Sequence, residues 1–138
     1  MRSGAEIEGG CHCGAVRFRA RLQPGTSLSA LEVVECNCSI CTMKAYLHVF
    51  ILESDFELTQ GAPALTTYRF NTGAAAHTFC STCGVAPFYR PRSHPDCVDV
   101  NARCVDGLDL ATVRRSSFDG ANWEDNIHQL READSCSP

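Results

Sequence analysis

Apolar and polar side chains alternate along several short segments of the chain, which is the pattern of half-buried β-strands. Residues 15–22 (AVRFRARL) show this alternation, and Pro24-Gly25 marks a turn after them. The run 46–52 (YLHVFIL) is apolar and of strand length, and 65–70 (LTTYRF) is rich in β-branched and aromatic residues. Further short segments that fit strands, or that lead into and out of cysteine motifs, are 31–35, 56–59, 76–79, 85–90 and 98–103.

Only two segments have helical character, 108–116 and 123–132. Short strands separated by Gly, Pro and Asn predict a mainly β domain of packed antiparallel sheets with little helix. The length of 138 residues fits a single domain over 1–138, with a core from about residue 7 to residue 124. Residues 133–138 are expected to form a frayed tail.

Charge and hydropathy argue against two classes of partner. Twelve Lys plus Arg against sixteen Asp plus Glu give a formal net charge of −4, so no basic surface for nucleic acid or for an anionic membrane is predicted. No apolar stretch approaches the roughly 20 residues that cross a bilayer, and the N-terminus lacks the apolar segment of a secretory signal. We therefore expect a cytoplasmic protein.

The ten cysteines change this picture. Disulfides are rare in a reducing compartment, so a dense cysteine pattern there indicates metal binding or redox chemistry. Three cysteines stand alone in the sequence: Cys97, Cys104 and Cys136. The other seven fall in three tight groups, which we name the N-terminal pair (Cys11 and Cys13), the central motif (Cys36, Cys38 and Cys41) and the later pair (Cys80 and Cys83).

The later pair favours zinc over redox chemistry. Two cysteines three residues apart, followed by Gly84, suit a tight turn whose backbone N–H groups point at thiolate sulfur. A thioredoxin-like motif instead needs its second cysteine on a helix. The segment 84–89 (GVAPFY) contains proline and aromatic residues and does not indicate a helix.

Two divisions of the cysteines between metal sites are open. The two pairs can together close a structural four-cysteine zinc site, which leaves the central motif with three thiolates. Alternatively, the central motif completes the site of the later pair, and one cysteine and the N-terminal pair are left over. The first division uses every clustered cysteine and is modestly favoured. Three protein ligands with an open fourth position are typical of catalytic zinc; the candidates for that position include water, His48, Asp96, Cys97 and Cys104.

Three segments resemble the family of glutathione-dependent formaldehyde-activating enzymes: CHCGAVRF at 11–18, CNCSIC at 36–41 and HTFCSTCGV at 77–85. The stretch 68–95 (YRFNTGAAAHTFCSTCGVAPFYRPRSHP) is most similar to the branch that includes centromere protein V, and FDGANWE at 118–124 also fits. The resemblance runs from about Gly10 to Glu124. Three cysteine motifs in the right order make it specific.

The resemblance implies a β-tent, a fold of antiparallel sheets that lean together. It implies two zinc ions, a structural one on Cys11, Cys13, Cys80 and Cys83 and a functional one on Cys36, Cys38 and Cys41. The activity it implies is the condensation of glutathione with formaldehyde, which is a carbon–sulfur lyase reaction in the reverse sense.

That reaction assigns roles to further residues. The developing alkoxide needs a proton donor, for which His48 is the first candidate and His77 the second. The carboxylates of glutathione need donors, which Arg90, Arg92 and Ser93 can supply. Two alternatives stay open: a lyase of the same architecture that acts on another thioether or thiohemiacetal, and a non-catalytic zinc-binding module for protein interaction.

Overall fold

A computed structural model describes residues 5–69, 75–91 and 96–119. This part of the chain is mainly β, with ten strands and one short α-helix, so the predicted fold class is confirmed. The elements are β1 (Glu6–Gly10), β2 (Arg17–Arg21), β3 (Glu32–Cys36), α1 (Ser39–Lys44), β4 (Leu47–Leu52), β5 (Phe56–Gln60), β6 (Leu65–Tyr68), β7 (His77–Cys80), β8 (Phe88–Tyr89), β9 (Cys97–Asn101) and β10 (Arg114–Phe118).

The strands form three sheets. Their orders are β1-β2-β5, β10-β3-β4-β9-β8 and β6-β7. Within the described ranges every strand pair is antiparallel except β10 with β3, which run parallel. An isolated bridge between Ala76 and Arg90 joins the two-stranded sheet to the edge of the five-stranded one.

The five-stranded sheet has two buried faces of different chemistry. Successive side chains of a strand point to opposite faces. On one face Val49 and Val100 join the main apolar core, which also contains Phe18 of the three-stranded sheet. On the other face lie His48 and Asp99, which are buried although they are polar. This second face holds the candidate site.

One predicted helix is wrong. Of the segment 108–116, the last residues belong to strand β10, which pairs with β3 at the edge of the sheet. The residues before it form turns, and Leu108 and Leu110 pack against the main core from them. The apolar residues of this segment therefore reach the core without a helix.

A helix that was not predicted begins directly after Cys38. Helix α1 has six residues and ends where Ala45 adopts a left-handed conformation, with φ 54°. Six residues are too few for a helical hydrophobic period to be visible, which explains the omission. The second predicted helix, 123–132, lies outside the described residues, as does the tail at 133–138.

Gly61, directly after β5, allows the chain to approach the loop between β1 and β2 that carries the N-terminal pair. Its φ is +97°, and a Cβ atom there would lie 2.1 Å from the carbonyl oxygen of Ala15. Only glycine fits this combination of backbone conformation and contact. No helix in the described ranges is both long enough and apolar enough to cross a membrane.

Candidate functional site

The N-terminal pair and the later pair lie together, as predicted. The sulfur atoms of all four cysteines are within 4.8 Å of one another. Sγ of Cys13 is 3.6 Å from Sγ of Cys11 and 3.7 Å from Sγ of Cys80. A tetrahedral zinc with Zn–S bonds of about 2.3 Å has sulfur–sulfur edges of about 3.8 Å. The spacing of the sulfurs therefore fits a zinc ion.

The turn that carries the later pair favours thiolates. The backbone N–H of Thr82 donates to Sγ of Cys80 at 3.4 Å, and Gly84 follows with φ +80°. The pKa of Cys83 is lowered to about 6, mainly because the backbone N–H of Val85 donates to its sulfur. Since zinc binds the ionised form of cysteine, this turn prepares ligands for the metal.

The central motif brings its three cysteines together at the end of a strand. Cys36 ends β3, Cys38 precedes helix α1, and Cys41 lies within that helix. Their sulfurs lie within 4.8 Å of one another. No other Cys, His, Asp or Glu in residues 5–69, 75–91 and 96–119 joins this group of mutually close ligand atoms.

The thiols of the central motif favour ionisation of Cys38 and oppose that of Cys41. The pKa of Cys38 is far below its ordinary value because the thiol of Cys36 and then that of Cys41 hydrogen-bond to it. The pKa of Cys41 is raised instead, first by its contact with Cys36 and then by that with Cys38. Three adjacent sulfurs can all be ionised only if a cation lies among them, which is the condition that zinc meets.

His48 joins the central motif to a buried carboxylate. Its Nε2 lies 3.2 Å from Sγ of Cys41, and its Nδ1 lies 2.6 Å from Oδ2 of Asp99. Asp99 is 0% exposed and His48 is 4% exposed. The side chain of Tyr46 covers this pair: its hydroxyl donates to the backbone oxygen of Asp99 at 2.6 Å, and its ring centroid is 4.7 Å from that of His48.

His77, the second candidate for a proton donor, lies on the other side of Tyr89. The two rings stack with centroids 4.5 Å apart and an interplanar angle of 12°. The pKa of His77 is lowered to about 4, first by burial and then by the positive charge of Lys44. The imidazole is therefore neutral at physiological pH and is an unsuitable source of a proton there.

The predicted carboxylate clamp is only partly within the described chain. Arg90 lies beyond the end of β8, and its guanidinium donates to the carboxylate of Glu53 in an exposed ion pair. Arg92 and Ser93 lie outside the described residues. Cys104 is not part of either cysteine cluster; its thiol faces the backbone oxygen of Ala86, and burial raises its pKa to about 11.

Asp99 and Tyr46 were not predicted from the sequence as site residues. A signal for Asp99 was present in the alternation of VDVNAR, because Val98 and Val100 face the core and the residue between them must face the other side. By the same argument, His48 of YLHVFIL faces the other side of the sheet, because its neighbours Leu47 and Val49 face the core. The alternation does not show that β4 and β9 are neighbours, which is what brings the side chains of His48 and Asp99 into contact.

Comparison with known proteins gives consistent results. The profile of the family described as glutathione-dependent formaldehyde-activating enzyme matches residues 6–119. A Halomonas elongata protein that is provisionally named a glutathione-dependent formaldehyde-activating enzyme is 31% identical over 108 residues. That match covers 72% of this chain and 66% of the relative, just under two thirds of its length. The crystal structure of a Rhodobacter sphaeroides protein is similar with a TM-score of 0.69 at 32% identity, and the match covers 79% of this chain and 99% of that one.

Proposed function

Because this chain belongs to the family of glutathione-dependent formaldehyde-activating enzymes, we propose that it is a zinc-dependent carbon–sulfur lyase. In the synthetic direction it adds glutathione, or another small thiol, to formaldehyde or a small aldehyde. The observation that carries the proposal is the central motif, whose three sulfurs lie within 4.8 Å of one another. No fourth Cys, His, Asp or Glu ligand atom of the described ranges lies that close to all three, although His48 contacts Cys41. A substrate can reach a metal only where the protein leaves a position open.

The proposal includes two zinc ions with different roles. Cys11, Cys13, Cys80 and Cys83 would hold the structural zinc, and Cys36, Cys38 and Cys41 the functional one, as their mutual distances allow. Zinc in the central motif supplies Lewis-acid polarisation and favours the ionised form of a thiol.

The reaction forms one carbon–sulfur bond and moves one proton. The thiolate sulfur attacks the aldehyde carbon, the π electrons of the carbonyl move to oxygen, and that oxygen takes a proton to give a hydroxyalkyl thioether. His48 is the proposed proton donor, because its Nε2 reaches the central motif at Cys41. Asp99 orients this ring by accepting a hydrogen bond from Nδ1, so that Nε2 is directed at Cys41.

Arg90, Arg92 and Ser93 remain the proposed contacts for one carboxylate of glutathione. For Arg90 this role requires the guanidinium to exchange the carboxylate of Glu53 for that of the substrate. The exchange is feasible because both side chains are exposed, and ion pairs at the surface contribute little stability.

Exchange NMR on glutathione mixed with ¹³C-formaldehyde tests the proposal. The adduct forms without a catalyst, so the measured quantity is the increase in exchange rate on adding zinc-loaded protein. We expect a clear increase that is lost in Cys36→Ser and kept in Cys104→Ser, since Cys104 is outside both clusters. A fully metallated protein that leaves the exchange of glutathione and of smaller thiols at the background rate would favour the non-catalytic interaction module.

A further inference from the structure

Lys44 stands beside the central motif and has no role in the reaction described above. It is the single lysine among the twelve basic residues of the chain. It is the last residue of α1, three positions after Cys41, so the two side chains lie on the same side of the helix. A positive charge thus lies within one helical turn of a proposed metal ligand.

The surroundings of Lys44 are partly apolar. The side chain is half-buried, and its Nζ lies 6.0 Å from the ring centroid of Phe79. Burial lowers the pKa of the ammonium group, which the negative charge of Cys41 opposes. Lysine side chains usually keep their charged ends in water, so this position has a desolvation cost that an anion would offset.

In the described ranges no carboxylate is paired with Lys44, whereas several arginines have such partners. Arg90 is paired with Glu53, and Arg19 with Glu57. The lysine therefore offers a charge that no acidic side chain of these ranges neutralises, close to the place where the substrate sulfur has to arrive.

Two features hold the backbone at Ala45, the residue directly after Lys44. Ala45 has φ 54°, the one positive φ of a non-glycine residue in the described chain, and its carbonyl oxygen accepts a hydrogen bond of 2.7 Å from Nε of Arg103. A left-handed conformation is unfavourable for alanine, and such conformations persist where the surrounding structure enforces them. The backbone at the end of α1, from which the Lys44 side chain extends, is consequently held in place.

We propose that the ammonium group of Lys44 receives a carboxylate of the thiol substrate. The site then selects thiols that carry an acidic group a few bonds from the sulfur over neutral thiols of the same length. This inference rests on the proposed function, because it assumes that a thiol substrate binds at the central motif. The competing role for Lys44 is to balance the negative charge of the metal-bound cysteines without touching the substrate.

A matched pair of substrates separates these roles. We compare 3-mercaptopropionate with 3-mercapto-1-propanol, each with ¹³C-formaldehyde, on the zinc-loaded protein and on Lys44→Met. Methionine keeps an unbranched side chain beside Phe79 and removes the charge. We expect kcat/KM for the acid to exceed that for the alcohol by about tenfold in the parent protein, and the ratio to fall to about one in Lys44→Met.

Two further variants control this comparison. Lys44→Arg keeps the charge and should retain most of the preference for the acid. Arg115→Gln removes an exposed charge on β10 and should leave the preference unchanged. An unchanged ratio of kcat/KM for the acid to that for the alcohol in Lys44→Met would overturn the proposal. If that unchanged ratio comes with equal losses for both thiols, the charge-balancing role is favoured.

A binding measurement does not depend on turnover. Because the chain has one lysine, ¹³C-lysine labelling gives a single side-chain spin system in the NMR spectrum. We expect 3-mercaptopropionate to shift the Cε and Hε signals of Lys44 and the alcohol to leave them nearly unchanged. If the acid shifts these signals while neither thiol reacts above background, the proposed function fails and the contact with Lys44 stands. If both thiols react above background and neither shifts the signals, the contact with Lys44 fails and the proposed function stands.

Discussion

Oδ2 of Asp99 lies 2.6 Å from Nδ1 of His48, and the other ring nitrogen of His48 reaches Sγ of Cys41 at 3.2 Å. The carboxylate, the imidazole and the thiol thus form one line of contacts from the interior of the sheet to the central motif. Residues behind a metal ligand fix its orientation and its charge, and their loss commonly costs 10–100-fold in metal affinity or activity.

Replacing Asp99 by asparagine should therefore impair the reaction more than the fold. Asparagine keeps the size of the side chain but removes the carboxylate that holds Nδ1 of His48. We expect kcat/KM to fall by about 10–100-fold, with the zinc content unchanged. ¹⁵N NMR of the His48 ring should show a changed Nδ1 signal in the variant.

Glu57→Gln is a matched control, because Glu57 is an exposed partner of Arg19 on the three-stranded sheet, which contributes no residue to the central motif. A rate for Asp99→Asn equal to that of Glu57→Gln would show that the Asp99 charge has no part in the reaction.

The two cysteine clusters should respond differently to loss of one ligand. Cys80→Ser opens the cluster that joins the loop after β1 to the turn after β7, and structural zinc sites contribute about 10–16 kcal/mol in small zinc modules. We expect Cys80→Ser to be largely unfolded by circular dichroism. Cys36→Ser should stay folded and contain one zinc rather than two. Two equally unfolded variants would contradict the division into a structural and a functional site.

His77 should make the protein less stable in acid. Its folded pKa of about 4 is below the ordinary 6.5, so the unfolded chain binds a proton first as the pH falls. The stability that depends on the neutral ring is complete above about pH 6.5, is lost between pH 6.5 and pH 4, and changes no further below.

At pH 5.5 the loss should be about 1 kcal/mol relative to pH 8. The measurement is the difference in unfolding free energy between the parent protein and His77→Phe at each pH, since metal loss is common to both. A difference that does not change with pH would show that the His77 ring titrates normally.

Gly61 should be the glycine whose replacement is most costly near the N-terminal pair. In Gly61→Ala the new methyl group would meet the carbonyl oxygen of Ala15 at 2.1 Å, in addition to the strain of a positive φ. We expect destabilisation of at least about 2 kcal/mol. Gly107→Ala isolates the strain, because φ there is +76° and nothing lies within 4 Å of its new Cβ; it should cost about 1 kcal/mol. Equal costs would contradict the contact at Ala15.

The sequence predicted the fold class because the strands bear local signals. Residues 17–21 alternate strictly, and the five residues of β2 have the buried positions that the alternation indicates. Strand β10 was missed because RRSSF has only one large apolar residue. It is an edge strand, where charged side chains are tolerated and where pairing with β3 defines the structure.

The cysteine clusters were predictable for a different reason: metal ligands have characteristic spacings that do not depend on knowing the fold. The contact of His48 with Asp99 joins residues 51 apart in sequence. It depends on the register of β4 with β9, in which His48 lies opposite Asn101 rather than Asp99. No local pattern specifies that register, so the partner of His48 emerged only from the structure.

The two clusters also differ in the order in which a ribosome delivers them. The central motif is complete within six residues, so it can take up zinc as soon as it emerges. Cys13 has to wait for Cys80, which is 67 residues later. At about 5–20 residues per second this delay is roughly 3–13 s, during which the N-terminal pair consists of exposed thiols that oxidants can reach. With zinc in both clusters as proposed, production of this protein would require free zinc and reducing conditions during the seconds of synthesis as well as afterwards.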